Sequence, residues 1–276
     1  MKRFALLAVL LFGALLVYGT TDFPDWGDPS SPAATHVSPH YIRHSLEETA
    51  VPNIVTAVLA DYRGYDTMFE TSVIFTAGLA CFFLLRVFAR KAPDSRLYRH
   101  RATGITLRIE QGGRLPEGAR EFERIDSQWV PYDLIIRTAC RLVLPFIQLF
   151  ALYVVAHGHH SPGGGFQGGV IFGAAVILYA ISHDLRSTLQ MLPERRTVLM
   201  SAGGVLIYAG TGLICLLLGA QFLDYAALAG ILGVDPIMAR SHGIFIVEIG
   251  VAIAVMAVMV SLYYNLASVG RFDEGL

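Results

Sequence analysis

Residues 157–169 read HGHHSPGGGFQGG, with three histidines, a proline and a dense run of glycines between two long apolar stretches. Histidines so close together raise metal binding, proton relay and capping of a helix end. A metal site wants three or four ligands in suitable geometry. Here His157, His159 and His160 leave a helix end on different faces, with no Cys or acidic residue beside them in the chain. No metal site is expected on that pattern. Capping of the helix C-terminus and proton relay near neutral pH both remain readings. Pro162 and Gly163, Gly164 and Gly165 form a sharp reversal that few other residues permit. Beyond it Gly165, Gly169 and Gly173 repeat every fourth residue, with Gly164 and Gly168 alongside. That small-xxx-small spacing lets another helix approach closely in lipid. Close packing therefore explains the glycines better than a phosphate cradle, since nothing basic lies nearby.

Two further groups can do chemistry. Glu248 lies in SHGIFIVEIGVAIAVMAVMV, apolar on both sides. A carboxylate there is costly unless paired or protonated, and intramembrane acids mark ion or proton paths. A structural hydrogen bond to a neighbouring helix is the plainer alternative. The stretch DYRGYDTMFE places Asp66 and Glu70 four residues apart, on one face of a helix if one starts there, with Arg63 able to neutralise either. Acids at a helix start also serve as caps and dipole partners. On the opposite side, Arg137 and Arg141 share a face. Arg141 is expected to snorkel to the headgroups or to pair with Asp184 or Glu194.

These residues are carried by an unusually apolar chain. Of its 276 residues 54% are hydrophobic and 16% charged, against roughly 25% charged in soluble domains. Runs able to cross a bilayer recur at 4–21, 71–88, 134–156, 168–181, 197–219 and 243–267, the fourth extended by Phe166 and Gln167. The expectation is an all-α integral membrane protein of about six transmembrane helices. With both termini cytoplasmic, Arg43, Arg63 and Arg240 alone among the 21 Lys and Arg fall outside, which satisfies the positive-inside rule. Lys2 and Arg3 before an apolar run also suit a signal peptide, but no clear Ala-x-Ala site follows, so a retained helix is expected. Cys81, Cys140 and Cys215 fall in three different spans and read as small buried residues. There is no Walker A loop, no GxGxxG and no CxxC, so no cofactor is expected.

Three blocks follow. Residues 1–89 hold two spans and an outer loop. Residues 90–131 form a polar cytoplasmic connector, where GITLRIEQGGRL alternates as a short hairpin would. Residues 132–276 hold four spans with short links. No internal repeat marks an inverted-repeat transporter.

LPFIQLFALYVVAHGHHSPGGGFQGGVIFGAAVIL and HGIFIVEIGVAIAVM resemble the B-type subunit of the Mrp-type multisubunit Na+/H+ antiporters, over most of residues 132–270. They equally resemble the corresponding subunits of membrane-bound hydrogenases related to respiratory complex I. NIVTAVLADYRGYDTMFETSVIF resembles the C-terminal end of the large A-type antiporter subunit, or the small subunit that replaces it in the hydrogenases. Here the two pieces are fused through 90–131, and the connector has no family role. The resemblance implies an accessory, non-enzymatic subunit in a hetero-oligomeric complex of the prokaryotic inner membrane, exchanging Na+ for H+, with other antiporter-type subunits as partners. The alternative is the ion-translocating module of a redox-driven complex. No span carries a lysine, unlike the long pumping subunits of such complexes. Glu248, Asp66, Glu70, Arg63, His157 and His159 are the residues expected on a polar path or interface, with Pro162, Gly163, Gly164, Gly165, Gly168, Gly169 and Gly173 as the packing motif.

Overall fold

The computed structural model describes residues 2–87, 96–109, 121–124, 134–183 and 185–268. Residues 1–45 and 46–276 form two compact units. In the first, α1 (Lys2–Gly19) leaves Phe4, Leu10 and Val17 uncovered by its own unit. An all-round apolar helix of this kind suits lipid. Thr20 and Thr21 close it, their hydroxyls donating to the carbonyls of Val17 and Tyr18 at 2.7 Å. Asp28 accepts hydrogen bonds from the Ser30 hydroxyl and amide, which hold its carboxyl below the ordinary range. A π-helical turn, Ala33–Val37, then leads into α2 (Ser38–Thr49).

The second unit holds the five helices long and apolar enough to cross a membrane, at Gly64–Leu85, Leu134–His157, Gly165–Ser182, Glu194–Leu217 and Pro236–Ala267. They belong to α4 (Gly64–Val87), α5 (Leu134–His157), α6 (Gly165–Ser182), α8 (Glu194–Leu217) and α10 (Pro236–Ala267). The apolar segment of the first helix, Leu6–Asp22, is shorter than any of these. Short elements join the spans: α3 (Ile54–Ala57), α7 (Leu185–Met191) and α9 (Ala229–Leu232). The fold is an all-α membrane protein with a small appended sheet.

Helix α10 is the hub. Asp235 caps it by accepting from the Met238 amide at 3.1 Å, and Pro236 stands in its first turn. It is packed by α4, α6 and α8, so Ile244, Val247, Ala254 and Val260 are fully buried. Small residues set these distances. A Cβ on Gly204 of α8 would lie 2.6 Å from the Ala254 amide, and one on Gly78 of α4 3.0 Å from Val258. Helices α4 and α5 are mostly uncovered in the isolated chain.

The span expected from residue 71 begins earlier, after a break. Asn53 caps α3 by accepting from the Val55 amide. The chain then runs through a π-helical turn, Val58–Tyr62, and leaves helical geometry at Arg63 before α4 starts at Gly64. π-turns of this type often mark functional sites.

The second arm of the hairpin expected in the connector lies outside the described residues. β2 (Thr106–Ile109) does use the alternating segment, but it pairs antiparallel with β1 (Arg96–His100), upstream of it. β3 (Phe122–Arg124) pairs with the other edge of β1, giving the order β2-β1-β3. The turn sits near Gly104, at φ +70°.

Candidate functional site

The two strongest sequence features meet. Glu248 accepts a hydrogen bond from the backbone N–H of Gly165, the first residue of α6. That N–H has no partner within its own helix, and the helix start carries partial positive charge. A half-buried carboxylate is thus matched to a donor and a dipole, with no basic side chain paired to it among the described residues. Gly164, at φ +117°, makes the approach possible. A side chain there would be strained, and its Cβ would lie 2.6 Å from Glu248 Oε2. A Cβ on Gly165 would collide with the Glu248 carbonyl.

The glycine series carries this contact along α10. A Cβ on Gly169 would come within 2.7 Å of the Ala252 carbonyl, whereas one on Gly173 would meet Met259 and Met256 at 3.3–3.4 Å. Gly168 faces α5 instead, against the Ala151 carbonyl at 3.0 Å. These glycines lie against the neighbouring helices, and the carboxylate contact is additional. Sequence adjacency had shown no acid near the histidine loop; the fold brings one in from 83 residues away. Counted from Pro236, Glu248 stands more than three turns into α10, deeper than a span beginning at 243 implies, yet it is level with the first residue of α6.

The loop between α5 and α6 is tied down by the start of the α3 segment. The Asn53 amide nitrogen donates to the carbonyls of Gly158 and Ser161 at 2.8 Å, its backbone N–H to the carbonyl of His159 at 2.9 Å, and the Thr56 hydroxyl to Gly158 at 2.8 Å. His159 Nε2 lies 3.0 Å from the Ser241 carbonyl, which can only accept. Nε2 is therefore the protonated nitrogen of the neutral ring. Burial holds this histidine below its ordinary pKa. Its ring meets Phe245 edge-on. Ser241, Phe245, Glu248 and Ala252 follow helical spacing, so one stripe of α10 receives the loop and then α6.

A second polar layer lies at the same end. Arg240 Nε and Nη2 donate to the two carboxylate oxygens of Asp61, both at 2.8 Å, with the Asp61 side chain 9% exposed. The guanidinium also lies 5.7 Å from the centre of the Tyr62 ring, within cation–π range. The Tyr62 hydroxyl donates to Glu48, and burial together with that carboxylate pushes its pKa upward. Two buried tyrosines satisfy the broken helix: Tyr225 donates to the Ala60 carbonyl at 3.0 Å and Tyr208 to the Gly64 carbonyl at 2.9 Å. Burial raises the Tyr225 pKa as well.

The other expected residues sit elsewhere. Arg63 Nε donates to Asp66 at 2.6 Å, and both side chains are more than half exposed. Glu70 is exposed on α4. None of the three contacts Glu248. His157 stacks on Tyr153 at 4.8 Å, and its ring is 5.7 Å from that of His160. No cluster of three or more His, Cys, Asp or Glu able to hold a metal occurs among the described residues. Arg141 makes no ion pair with a described residue, which removes Glu194 as its partner; Asp184 lies outside the described residues. Asn53, Asp61, Tyr208, Tyr225 and Arg240 were not on the expected list. Asp61 and Arg240 were visible as charges near span ends, but nothing in the sequence pairs residues 179 positions apart.

Apolar helices around a hub, with small-residue seams and a half-buried carboxylate held on a helix start, define a multi-pass membrane subunit. The family model described as a domain related to the MnhB subunit of Na+/H+ antiporter matches residues 135–261. Putative antiporter subunit mnhB2 of Staphylococcus aureus strain Newman is 34% identical over 137 residues, 49% of this chain and 94% of the relative. The counterpart from strain Mu3 matches equally. The chain belongs to the family of MnhB-related antiporter subunits. A second family model, MbhE, described as the E component of MBH, matches residues 28–101. Two solved structures share the fold. One is the Mrp complex from Dietzia sp. DQ12-45-1b, with a TM-score of 0.55, 24% identity, and 95% of this chain covered. This chain spans only 26% of the matched Mrp chain. The other is the membrane-bound sulfane sulfur reductase, an archaeal respiratory membrane complex, with a TM-score of 0.51 and 28% identity over 92% of this chain and 97% of that one.

Proposed function

We propose that this chain is an accessory component of a multisubunit Na+/H+ antiporter complex, with other antiporter-type membrane subunits as partners, in which Glu248 is a protonatable latch between α10 and α6. The observation that carries this is the Glu248 carboxylate on the Gly165 N–H, within the MnhB-related block. Ionised, the carboxylate is held by the helix start; protonated, it loses the charge that makes that contact strong. Proton uptake then loosens the outer end of α6 from α10. Arg63, Asp66 and Glu70 lie exposed at the start of α4, where they would serve a neighbouring protein or the path it shares. His157 and His159 line the loop above the latch, and the role of the glycines is to bring the backbone close enough for it to form.

The test is Glu248→Gln in the assembled complex. Na+/H+ exchange in everted vesicles should fall about 100-fold or more, the lower range for loss of a proton-transferring group, with complex assembly unchanged. Full exchange with Gln at this position would leave Glu248 a packing residue only.

A second reading is favoured by the MbhE match and by the near-complete coverage of a respiratory-complex chain: the same module in a redox-driven ion-translocating complex. Mass spectrometry of what co-purifies with the tagged chain separates the two. Membrane subunits alone support the antiporter, and iron–sulfur subunits in the same peak support the redox-driven complex.

A further inference from the structure

A cleft lies between helices α5 and α6 at the end opposite the Glu248 latch, the end that the distribution of basic residues assigns to the cytoplasm. It has a volume of about 450 Å³ and is lined by Arg137, Arg141, Gln148, Tyr179 and His183, with Leu144 and Val176 as its apolar floor. The lining is periodic. Arg137, Arg141, Leu144 and Gln148 fall on one face of α5, and Val176, Tyr179 and His183 on the facing side of α6. Arg141 lies seven residues into α5, roughly 10 Å along the helix. Among the described residues it makes no ion pair, and neither Arg137 nor Gln148 has a hydrogen-bond partner for its side chain. His183 stacks flat on Tyr179 at 4.3 Å, and its Nδ1 lies 3.0 Å from the Ser182 hydroxyl. Two guanidinium groups and a carboxamide without partners among the described residues, set over an apolar floor, describe an incomplete charge arrangement. Basic pockets between transmembrane helices at the cytoplasmic side are suited to anionic lipid headgroups.

We infer that this cleft binds the phosphate of an anionic phospholipid, with Arg137 and Arg141 on the phosphate oxygens, Gln148 as a further donor and an acyl chain along Leu144 and Val176. Planar guanidinium groups match phosphate oxygens bidentately. The apolar floor distinguishes a lipid from a soluble phosphate. With no carboxylate paired to either arginine among the described residues, net positive charge is left for the ligand to neutralise. This reading is independent of Glu248 and stands whichever complex contains the chain.

The experiment is native mass spectrometry of the intact complex, partly delipidated and then supplied with phosphatidylglycerol, phosphatidylcholine or inorganic phosphate. The expected result is retention of phosphatidylglycerol over phosphatidylcholine. In Arg137→Gln/Arg141→Gln that preference falls by about 30-fold, the combined effect of two basic residues at a membrane surface. Arg137→Lys/Arg141→Lys keeps the charge and should keep most of the preference, which separates lost charge from lost folding. Equal retention of both lipids by the wild-type complex, or a preference unchanged in the glutamine variant, overturns the site. So does retention of inorganic phosphate without lipid, or a cross-link from an Arg141→Cys variant to an acidic segment of a neighbouring protein of the complex.

Discussion

Two arginine–aspartate pairs have their aspartates close together in the chain, Asp61 and Asp66, and differ in nearly every physical respect. Arg63 and Asp66 pair within one turn, with side chains 60% and 55% exposed. Asp61 pairs with Arg240 across the fold, bidentately, with exposures of 9% and 24%. Exposed pairs contribute about 0–1 kcal/mol, because water already solvates both partners. Breaking a buried pair by removing one partner costs about 3–5 kcal/mol, because the survivor is left desolvated and alone. The residue types are the same in both; the surroundings decide what each pair is worth. The exposed pair is available to something outside this chain, and the buried one holds the broken helix before α4 against the start of α10.

The comparison is most easily broken at Asp61. Asp61→Ala should lower stability by about 3–5 kcal/mol, read as loss of the assembled complex or a lowered melting temperature in detergent. Arg63→Ala should change it by less than about 1 kcal/mol. Similar losses in both variants would show that burial does not separate the pairs.

Next in size are the glycines. Gly169→Ala puts a methyl 2.7 Å from the Ala252 carbonyl and should cost about 1–3 kcal/mol through overpacking. Gly210 of α8 meets nothing within 4 Å, so Gly210→Ala should be neutral or stabilising by up to about 1 kcal/mol. Gly173→Ala should fall between them. Thermal unfolding of the three variants ranks them directly.

Tyr225→Phe removes the donor to the Ala60 carbonyl without changing the packing, and should cost about 1–2 kcal/mol in the same assay. The smallest effect is that of pH on His159. Its folded pKa is depressed by burial, so its contribution is complete above the unfolded value near about 6.5 and is lost as pH falls below it, where the unfolded chain takes up the proton more readily. The melting temperature should therefore drop on acidification below about pH 6.5, and His159→Gln should flatten that slope. An unchanged slope would place the acid sensitivity in another group.

The sequence made the helices legible because lipid imposes a one-dimensional rule: about 20 apolar residues per span. The starts of α5, α6 and α8 were close to expectation. The start of α4 was less so, because its first turns are polar and follow a π-turn that no periodicity announces. The hairpin shows the same limit. Alternation through Leu107 and Ile109 marked a strand, but a strand's partners are chosen in three dimensions, and β1, which pairs with it, lies upstream.

The candidate site divides along that line. Residue identity alone marked Glu248, because a carboxylate among apolar residues demands an account, and marked the glycine series, because its spacing of four is a helix-packing signal. Where the carboxylate goes was decided by the fold. The Gly165 N–H is a backbone donor of the kind nearly every residue carries, and becomes special only when a helix begins there and a neighbouring helix faces it. The Asn53 strap, the two tyrosines on the broken helix and the Asp61–Arg240 pair were hidden for the same reason. Composition and spacing fix which segments enter the membrane and which of their faces are small, since those depend on each residue's own transfer energy and volume. Which buried polar group meets which donor depends on distances between segments far apart in the chain, and tertiary packing alone sets those.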